Sequence, residues 1–219
     1  MLVKRVLQTL TVILLGLFAT SIYAEPVILS ASGEPTLHGT RSVPRGLDMC
    51  NDYLSRTNYA GEPYRIVEAD RVVTRHEGID FCARAGTPVI APLSGRITWV
   101  VHEDAIRGGQ VLIDAGFRSR VTPGKAARRM YVGIVHMIPE KGLQAGNKVV
   151  AGQKIGTVHP AGPPEIGSRA HLHFTMRYCK EHTCHVDPNF YWQAGPGKIT
   201  CFRSSSPPPK GRLVAPLAC

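Results

Sequence analysis

The sequence has no internal apolar run long enough to cross a membrane. Its main apolar stretch, residues 10–18, lies near the N-terminus and is shorter than the roughly 20 residues that a spanning helix needs. Lys4 and Arg5 precede this stretch, and small and polar residues lead up to Ala24. This order is typical of a secretory signal peptide, so we predict that residues 1–24 are removed during export. An uncleaved anchor is the alternative, because the residue three positions before the cut is not small.

The sequence also lacks helical periodicity and internal repeats. No stretch in its middle shows a convincing apolar spacing of 3.6 residues. Short runs rich in β-branched and aromatic residues occur instead, and glycines and prolines separate them. Strands or strand ends are predicted at residues 89–95, 96–102, 110–114, 130–136, 154–158 and 170–178. The predicted fold class is therefore all-β, with an antiparallel sheet.

Free thiols are not expected, because all six cysteines follow the predicted cleavage site. An even number of cysteines in an exported chain favours disulfides. Cys179 and Cys184 are close enough in sequence to close a short loop. Three pairings stay open for the other four cysteines, Cys50, Cys82, Cys201 and Cys219. A thiolate zinc site in the segment 179–185 is the alternative, which oxidation disfavours because it removes the thiolates.

Acidic residues are too few to balance the basic ones. The chain has 26 Lys and Arg against 16 Asp and Glu, a net charge of +10, and loss of the signal peptide leaves +8 because Lys4 and Arg5 go with it. A basic domain concentrates near anionic polymers. Nucleic acid is not predicted as a partner, since the chain is predicted to be exported and has no recognised nucleic-acid motif.

Two separated fragments have the residue types of a metal site. His171 and His173 alternate along a predicted strand, so their side chains share one face. His76 and Asp80 lie on either side of Gly78, which favours a turn that brings the two side chains together. Zinc accepts imidazole nitrogen and carboxylate oxygen, and a catalytic zinc keeps three protein ligands and a water. His76, Asp80 and one of the two strand histidines would complete such a set.

A further histidine, His136, ends the predicted strand 130–136. Beside a metal it would act as a base or as a hydrogen-bond donor. The other histidines are predicted to be surface or structural residues, namely His38, His102, His159, His182 and His185.

Together these motifs resemble the lysostaphin-type (LytM-domain) zinc metallopeptidases, which are peptidoglycan endopeptidases. The segment His76-Glu-Gly-Ile-Asp80 is similar to that family's His-x-Gly-x-Asp motif, and His171-Leu-His-Phe174 is similar to its His-Leu-His-Phe motif. The resemblance runs in order through about residues 70–192 and includes Gly86-Thr-Pro-Val-Ile-Ala-Pro-Leu-Ser-Gly-Arg-Ile97, Val150-Ala-Gly-Gln-Lys-Ile-Gly156 and Val186-Asp-Pro-Asn-Phe-Tyr191.

The resemblance implies zinc (Zn²⁺) bound by His76, Asp80 and His173, with His136 and His171 as unligated catalytic residues. It implies an antiparallel β-sheet or sandwich core of the duplicated hybrid motif kind, with irregular, disulfide-linked ends. The implied protein is a periplasmic or secreted zinc metalloendopeptidase that hydrolyses cross-links or stem peptides of peptidoglycan with a zinc-activated water. One free histidine would take the water's proton, and the other would hold the oxyanion or protonate the leaving amine. The sequence leaves open which does which.

Two functions of other classes also stay open. The first is a non-catalytic lysostaphin-fold binding module that regulates cell-wall hydrolases or acts as a secreted signalling domain. The second is a structural envelope protein whose histidines are incidental. Retention of His76, Asp80, His171 and His173 favours the enzyme over both.

The chain is predicted to have four segments. These are the signal peptide at 1–24, an irregular N-terminal leader at 25–65, the peptidase domain at 66–195 and a Pro/Ser-rich C-terminal tail at 196–219. By the same resemblance, the leader is expected to cover the metal and to supply a fourth ligand from His38, Asn51 or Asn58. A loop at residues 116–130 carries five basic residues, and it either lines the substrate groove or is a solvated loop.

Overall fold

The protein is almost entirely β-structure. The computed structural model describes residues 27–29, 35–37, 39–67, 71–122 and 124–219, so the predicted signal peptide and His38 lie outside the described residues. Within the described ranges every strand ladder is antiparallel. The only helical element there is a 3-10 turn at Pro188–Phe190. The predicted all-β, antiparallel class is confirmed.

Fourteen strands are present in the described part of the chain. They are β1 (Val27–Leu29), β2 (Pro35–Leu37), β3 (Asp48–Asn51), β4 (Ile66–Val67), β5 (Val72–Val73), β6 (Ile79–Cys82), β7 (Pro88–Ile90), β8 (Gly95–Val101), β9 (Gly109–Ser119), β10 (Arg128–Pro139), β11 (Lys148–Val149), β12 (Lys154–Val158), β13 (His171–Arg177) and β14 (His185–Val186).

Ten of these strands form the main sheet, whose central path runs β11-β8-β9-β10-β13-β6-β3. Off this path, β12 pairs with both β10 and β7, and β14 pairs with β13. Strands β1 with β2, and β4 with β5, form two small sheets. The same described residues contain no helix with both the length and the apolar character needed to cross a bilayer.

The core lies on one face of the main sheet because side chains alternate along each strand. On β13, Leu172, Phe174 and Met176 are fully buried and point into the core. Phe174 stacks on Trp192 with ring centroids 5.7 Å apart. Full burial of each such apolar side chain contributes roughly 1.5–3 kcal/mol to stability. The intervening residues of β13 therefore face the opposite side, where the two strand histidines lie.

Three disulfides join the six cysteines, as Cys50–Cys82, Cys179–Cys184 and Cys201–Cys219. The predicted close pair is confirmed, and the structure selects one of the three pairings that the sequence left open. Because no free cysteine remains among the described residues, the alternative of a thiolate zinc site in the segment 179–185 is wrong.

Both predicted end segments contribute to the fold. The leader supplies β3, which extends the main sheet by pairing with β6. In the tail, residues 213–217 are buried, and Leu213 and Leu217 form isolated bridges with Trp192 and Val89. The composition of the tail did not predict this burial. The domain boundaries themselves stay predictions.

Candidate metal centre

Strand pairing brings the two halves of the predicted site together. Strands β6 and β13 are neighbours, and their register places Asp80 directly opposite His173. His76 precedes β6 and is buried beside them. Three atoms converge here. Asp80 Oδ1 lies 2.9 Å from His173 Nδ1 and 3.0 Å from His76 Nε2, and the two nitrogens are 2.9 Å apart. His76, Asp80 and His173 therefore form a compact group that one metal ion could bridge.

Gly78 allows the close approach of His76 and His173. A Cβ atom at position 78 would lie 2.6 Å from His173 Cε1 and 2.6 Å from the carbonyl oxygen of Phe174. Neither contact is tolerable for a carbon atom, and one of them is with the backbone. The glycine that suggested a turn in the sequence is thus needed because the His173 ring packs against it.

The hydrogen bond at Nδ1 of His76 determines whether its other ring nitrogen, Nε2, carries a lone pair. His76 Nδ1 donates to the carbonyl oxygen of Asp52 at 2.9 Å, because a carbonyl oxygen can only accept. In the neutral ring Nε2 then carries a lone pair, which faces Asp80 Oδ1 at 3.0 Å. Two acceptors at this distance repel each other unless a cation lies between them. A proton or a metal ion satisfies the pair, so the residues present fit a bound cation.

The ionisation of the three residues follows the same logic. Burial opposes a charge on His76, but the adjacent Asp80 outweighs it and raises the pKa of His76. Burial alone would raise the pKa of Asp80, yet His76 and His173 hold it well below its usual range. Burial lowers the pKa of His173 to about 4, against the opposing effect of Asp80. Asp80 is therefore a carboxylate at neutral pH and His173 a neutral imidazole, which are the forms that bind metal.

His136 reaches the site through a bulge in β10. The register between β10 and β9 shifts between Val135 and Met137, and His136 has a φ of 65°, which non-glycine residues rarely adopt. A bulge re-aims the side chain that it carries. The His136 ring lies 4.8 Å from that of His171 and 5.9 Å from that of His173, measured between centroids.

His136 and His171 are oriented in the same way. His136 Nδ1 donates to the carbonyl oxygen of Arg107 at 2.8 Å, and His171 Nδ1 donates to that of Arg169 at 2.9 Å. Each hydrogen bond leaves Nε2 as the accepting atom of a neutral ring. Burial, reinforced by nearby His171, lowers the pKa of His136 to about 3, so His136 is neutral at pH 7. His171 Nε2 lies 4.0 Å from Asp80 Oδ1, farther than the three convergent atoms lie from one another.

A cavity of about 680 Å³ opens above these five residues. The leader forms one of its walls. Tyr59 contacts the His171 ring with centroids 5.5 Å apart, and Tyr64 contacts the His76 ring at 5.2 Å. Asn58 also lines the cavity, but its side-chain amide donates to Glu62 at 3.1 Å, and the amide of Asn51 donates to the carbonyl oxygen of Thr57 at 3.1 Å. A fourth ligand from the leader stays a prediction.

Sequence reasoning missed a charged group beside the ligands. Glu77 accepts two hydrogen bonds from Arg71, at 2.8 and 2.7 Å, and lies 3.2 Å from His185 Nδ1. Burial would raise the pKa of Glu77, but His185 and Arg71 lower it to about 2. His182 and His185 also line the cavity, although the sequence placed them only as surface or structural residues. No local pattern marks them, because the disulfide-closed loop between β13 and β14 brings them there.

The basic loop at residues 116–130 lies at the far end of the β9–β10 hairpin. Ser119 pairs with Arg128 at that end, whereas Gln110 pairs with Val135 beside the site. At about 3.3 Å per residue the two pairs are roughly 23 Å apart along β10. Of the loop's described residues, none lines the cavity at the metal centre. The structure therefore favours the interpretation of this segment as a solvated loop away from the site over the interpretation that it lines the substrate groove.

The described residues thus form an antiparallel β-sheet protein with a candidate metal centre. The chain belongs to peptidase family M23, whose family model matches residues 74–188. The predicted resemblance to lysostaphin-type peptidases is thereby confirmed.

The chain is also similar to several solved structures. The chain is similar to a point mutant of the catalytic domain of EnpA, a prophage-encoded M23 protein from Enterococcus faecalis, with 25% identity, 69% of this chain and 96% of that chain covered, and a TM-score of 0.47. It is also similar to the catalytic domain of lysostaphin from Staphylococcus simulans, with 22% identity, 65% of this chain and 89% of that chain covered, and a TM-score of 0.45. A chain of the complex of SpoIIIAH and SpoIIQ is 16% identical, with 70% of this chain and 97% of that chain covered, and a TM-score of 0.46. A comparison with curated proteins gave no significant match.

Proposed function

We propose that this M23 protein is an exported zinc metalloendopeptidase that hydrolyses cross-links or stem peptides of bacterial peptidoglycan. One observation carries the proposal. His76, Asp80 and His173 converge within 3.0 Å of one another, and the two further imidazoles of His136 and His171 stand beside them.

The donor set suits zinc. Two imidazole nitrogens and one carboxylate oxygen are ligands that zinc accepts, and three protein ligands leave a position for water. A bound zinc ion would polarise the scissile carbonyl group and lower the pKa of its water to about 7. We assign His76, Asp80 and His173 as the residues that hold it.

His136 and His171 carry the proton transfers in this proposal. In each ring the Nδ1 hydrogen bond leaves Nε2 as the atom that can accept a proton in the neutral form. One ring takes the proton of the attacking water, and a protonated ring donates to the leaving amine. The carbonyl groups of Arg107 and Arg169 hold the two rings in place, as such partners do at metal sites.

The disulfides, the family membership and the net charge of the chain support export and the proposed substrate class. Three disulfides are typical of proteins that fold in an oxidising compartment, which agrees with the predicted signal peptide. Membership of an M23 peptidase family supports peptidoglycan as the substrate. The net charge of +10, or +8 after loss of Lys4 and Arg5 with the predicted signal peptide, suits an anionic envelope.

The test is digestion of defined muropeptides by the wild type and by His76→Ala, with products identified by mass and zinc measured in each protein. We expect the wild type to carry about one zinc ion and to cleave a peptide bond, and the variant to lose both properties. His102→Ala is the matched control, since His102 is exposed and outside the cavity, and it should behave as the wild type. Equal products from the wild type and His76→Ala would reject the mechanism. Stoichiometric zinc with every peptide intact would instead support the non-catalytic binding module.

A further inference from the structure

A second cavity, of about 470 Å³, lies between the β9–β10 hairpin and the C-terminal tail. It shares no lining residue with the cavity at the metal centre. His185 lines the first cavity and Val186, the next residue of β14, lines the second. Because successive strand residues point to opposite faces, the two cavities lie on opposite faces of the sheet at this point. A ligand in the second cavity would leave the metal site free.

Three aromatic rings line the second cavity, and all three are partly exposed. Phe117 and Tyr191 have ring centroids 6.1 Å apart, and Phe190, the sequence neighbour of Tyr191, also lines the cavity. The Tyr191 hydroxyl is held by Ser119 Oγ at 3.0 Å. Partly exposed aromatic rings in a cavity offer flat, rigid apolar surface to a ligand.

Three cationic side chains, from Arg120, Lys210 and Arg212, line the same cavity and are exposed. Arg212 Nη1 also donates to the carbonyl oxygen of Phe190 at 3.3 Å, which places the guanidinium group beside the backbone of Phe190. Within the described ranges, neither Arg120 nor Lys210 forms a salt bridge.

Among the described residues, the one carboxylate of the lining, Asp187, forms no salt bridge with these cations. It is buried, and its two oxygens accept the backbone N–H groups of Leu37 at 2.8 Å and of Asn189 at 2.9 Å. The exposed part of the cavity is therefore positively charged, and a complementary ligand is anionic.

The wall from the tail is fixed in place. The Cys201–Cys219 disulfide closes the tail on itself, Leu213 next to Arg212 is fully buried, and the Leu213 N–H donates to the carbonyl oxygen of Tyr191 at 2.8 Å. Lys210 and Arg212 are thus carried by an anchored segment. Preorganised charges lose less conformational entropy on binding than charges on a free tail.

We propose that this second cavity binds a carboxylated oligosaccharide. Its sugar rings lie against Phe117, Phe190 and Tyr191, and its carboxylates pair with Arg120, Lys210 and Arg212. The combination of rings and cations selects this class over a neutral sugar, which lacks the charge, and over a simple anion, which lacks a flat apolar face. The binding is independent of the proposed peptidase activity, since the two sites share no residue.

The experiment titrates the full-length protein with a hexamer of galacturonic acid by calorimetry, at a fixed low salt concentration. We expect one binding site per chain. The methyl-esterified hexamer, which keeps the rings and loses the charge, should bind about tenfold more weakly or not at all. The double variant Arg120→Gln/Lys210→Gln should also bind the acidic hexamer about tenfold more weakly, as expected for the loss of two partly exposed ion pairs. Phe117→Leu should also weaken binding of the acidic hexamer, because it removes one of the three rings.

The matched control is Lys125→Gln/Arg203→Gln. It removes the same two charges from the same hairpin and the same tail, at exposed positions that do not line the cavity, and binding should stay within about threefold of the wild type. Melting temperatures confirm that each variant is folded. The proposal is overturned if the acidic hexamer does not bind, or if the two double variants weaken its binding equally. It is also overturned if a single-stranded DNA hexamer binds as tightly as the acidic hexamer and loses binding in Arg120→Gln/Lys210→Gln, since that would show a general polyanion surface.

Discussion

His136 shows how one residue can depend on an unfavourable backbone conformation. Its φ of 65° is in the left-handed region, where a side chain costs roughly 1–2 kcal/mol relative to the usual conformations. The surrounding strands hold it there, and the bulge turns its ring towards His171 and His173. Such strain concentrates at functional sites, which agrees with the catalytic role that we propose.

Replacing His136 by alanine should abolish most of the turnover without removing the metal. We expect kcat to fall about 10²- to 10⁴-fold, the usual contribution of a positioned acid or base. Zinc content should not change, because His136 is outside the group of three convergent atoms. Parallel assays of muropeptide cleavage and zinc stoichiometry make the distinction, and loss of zinc would instead make His136 a ligand.

Backbone strain at position 136 can be tested by comparing the stabilities of two variants. Glycine adopts positive φ without strain, so His136→Gly should be more stable than His136→Ala by about 1 kcal/mol, as measured by denaturant unfolding of the zinc-free proteins. An equal or lower stability for the glycine variant would mean that the backbone at this bulge is not strained.

Glu77 should make stability depend on pH in the acid range. Its pKa of about 2 in the folded protein lies below the ordinary 4.5, so its contribution is present above pH 4.5 and is lost as pH falls from about 4.5 to about 2. Unfolding free energies of the wild type and Glu77→Gln, measured from pH 6 to pH 2.5, should differ by on the order of 1–2 kcal/mol at pH 6, allowing for partial exposure of the carboxylate.

This difference should shrink steadily towards pH 2.5. Groups that do not contact Glu77, such as His136, are common to both proteins, whereas His185 is coupled to Glu77, so the difference reports the Glu77–His185 pair. A difference that stays constant with pH would show that the Glu77 carboxylate contributes through packing alone.

Among the elements, the leader contacts the candidate metal centre directly through Tyr59 and Tyr64. Strand β3 is an edge strand of the main sheet, and Cys50–Cys82 joins it to β6, so deleting the whole leader would remove part of the fold. Tyr59 and Tyr64, which contact His171 and His76, test the predicted covering role more cleanly.

Opening this cover should speed cleavage. If the two ring contacts hold the leader over the site with about 1 kcal/mol in total, Tyr59→Ala/Tyr64→Ala should raise kcat/KM about fivefold. Arg45→Ala, at an exposed leader position outside the cavity, should leave kcat/KM unchanged. A decrease in the double variant would mean that the tyrosines bind substrate instead of covering the site.

At the scale of the whole molecule, the tail completes the core. Leu213 is fully buried, and it bridges Trp192, which packs on Phe81 and Phe174. These rings lie on the core face of the two strands that carry Asp80 and His173. The tail thereby supports the sheet directly beneath the candidate metal centre.

Leu213→Ala should therefore destabilise the protein by about 2–4 kcal/mol, the usual cost of a cavity at a buried leucine. Val150→Ala is the control, because Val150 is 62% exposed and should change stability by less than about 0.5 kcal/mol. Denaturant unfolding measures both. A loss at Leu213 no larger than the loss at Val150 would show that the tail is not part of the cooperative core.

Some of this molecule follows from short stretches of sequence. The strand class was predictable because β-branched runs and turn residues act locally, and β13 alternates as its sequence requires, with Leu172 and Phe174 buried and His173 on the other face. The close pair Cys179–Cys184 was predictable for the same reason, since five residues cannot separate two cysteines far in space. Motif spacing predicted His76, Asp80 and one of the two strand histidines, and the family resemblance implied that this histidine is His173. The structure brings the ligand atoms of His76, Asp80 and His173 together.

The sequence by itself determined the β class and indicated His76, Asp80 and the two strand histidines, because strand period and a tight turn depend only on neighbouring residues. The choice of His173 as the third ligand came from the family resemblance. The tertiary structure alone decided the rest. The register of β6 against β13 sets Asp80 opposite His173, a bulge aims His136, and distant segments bring Glu77, His185 and the buried tail to their places. Each of these depends on contacts between residues far apart in sequence, whose free energies no local pattern contains.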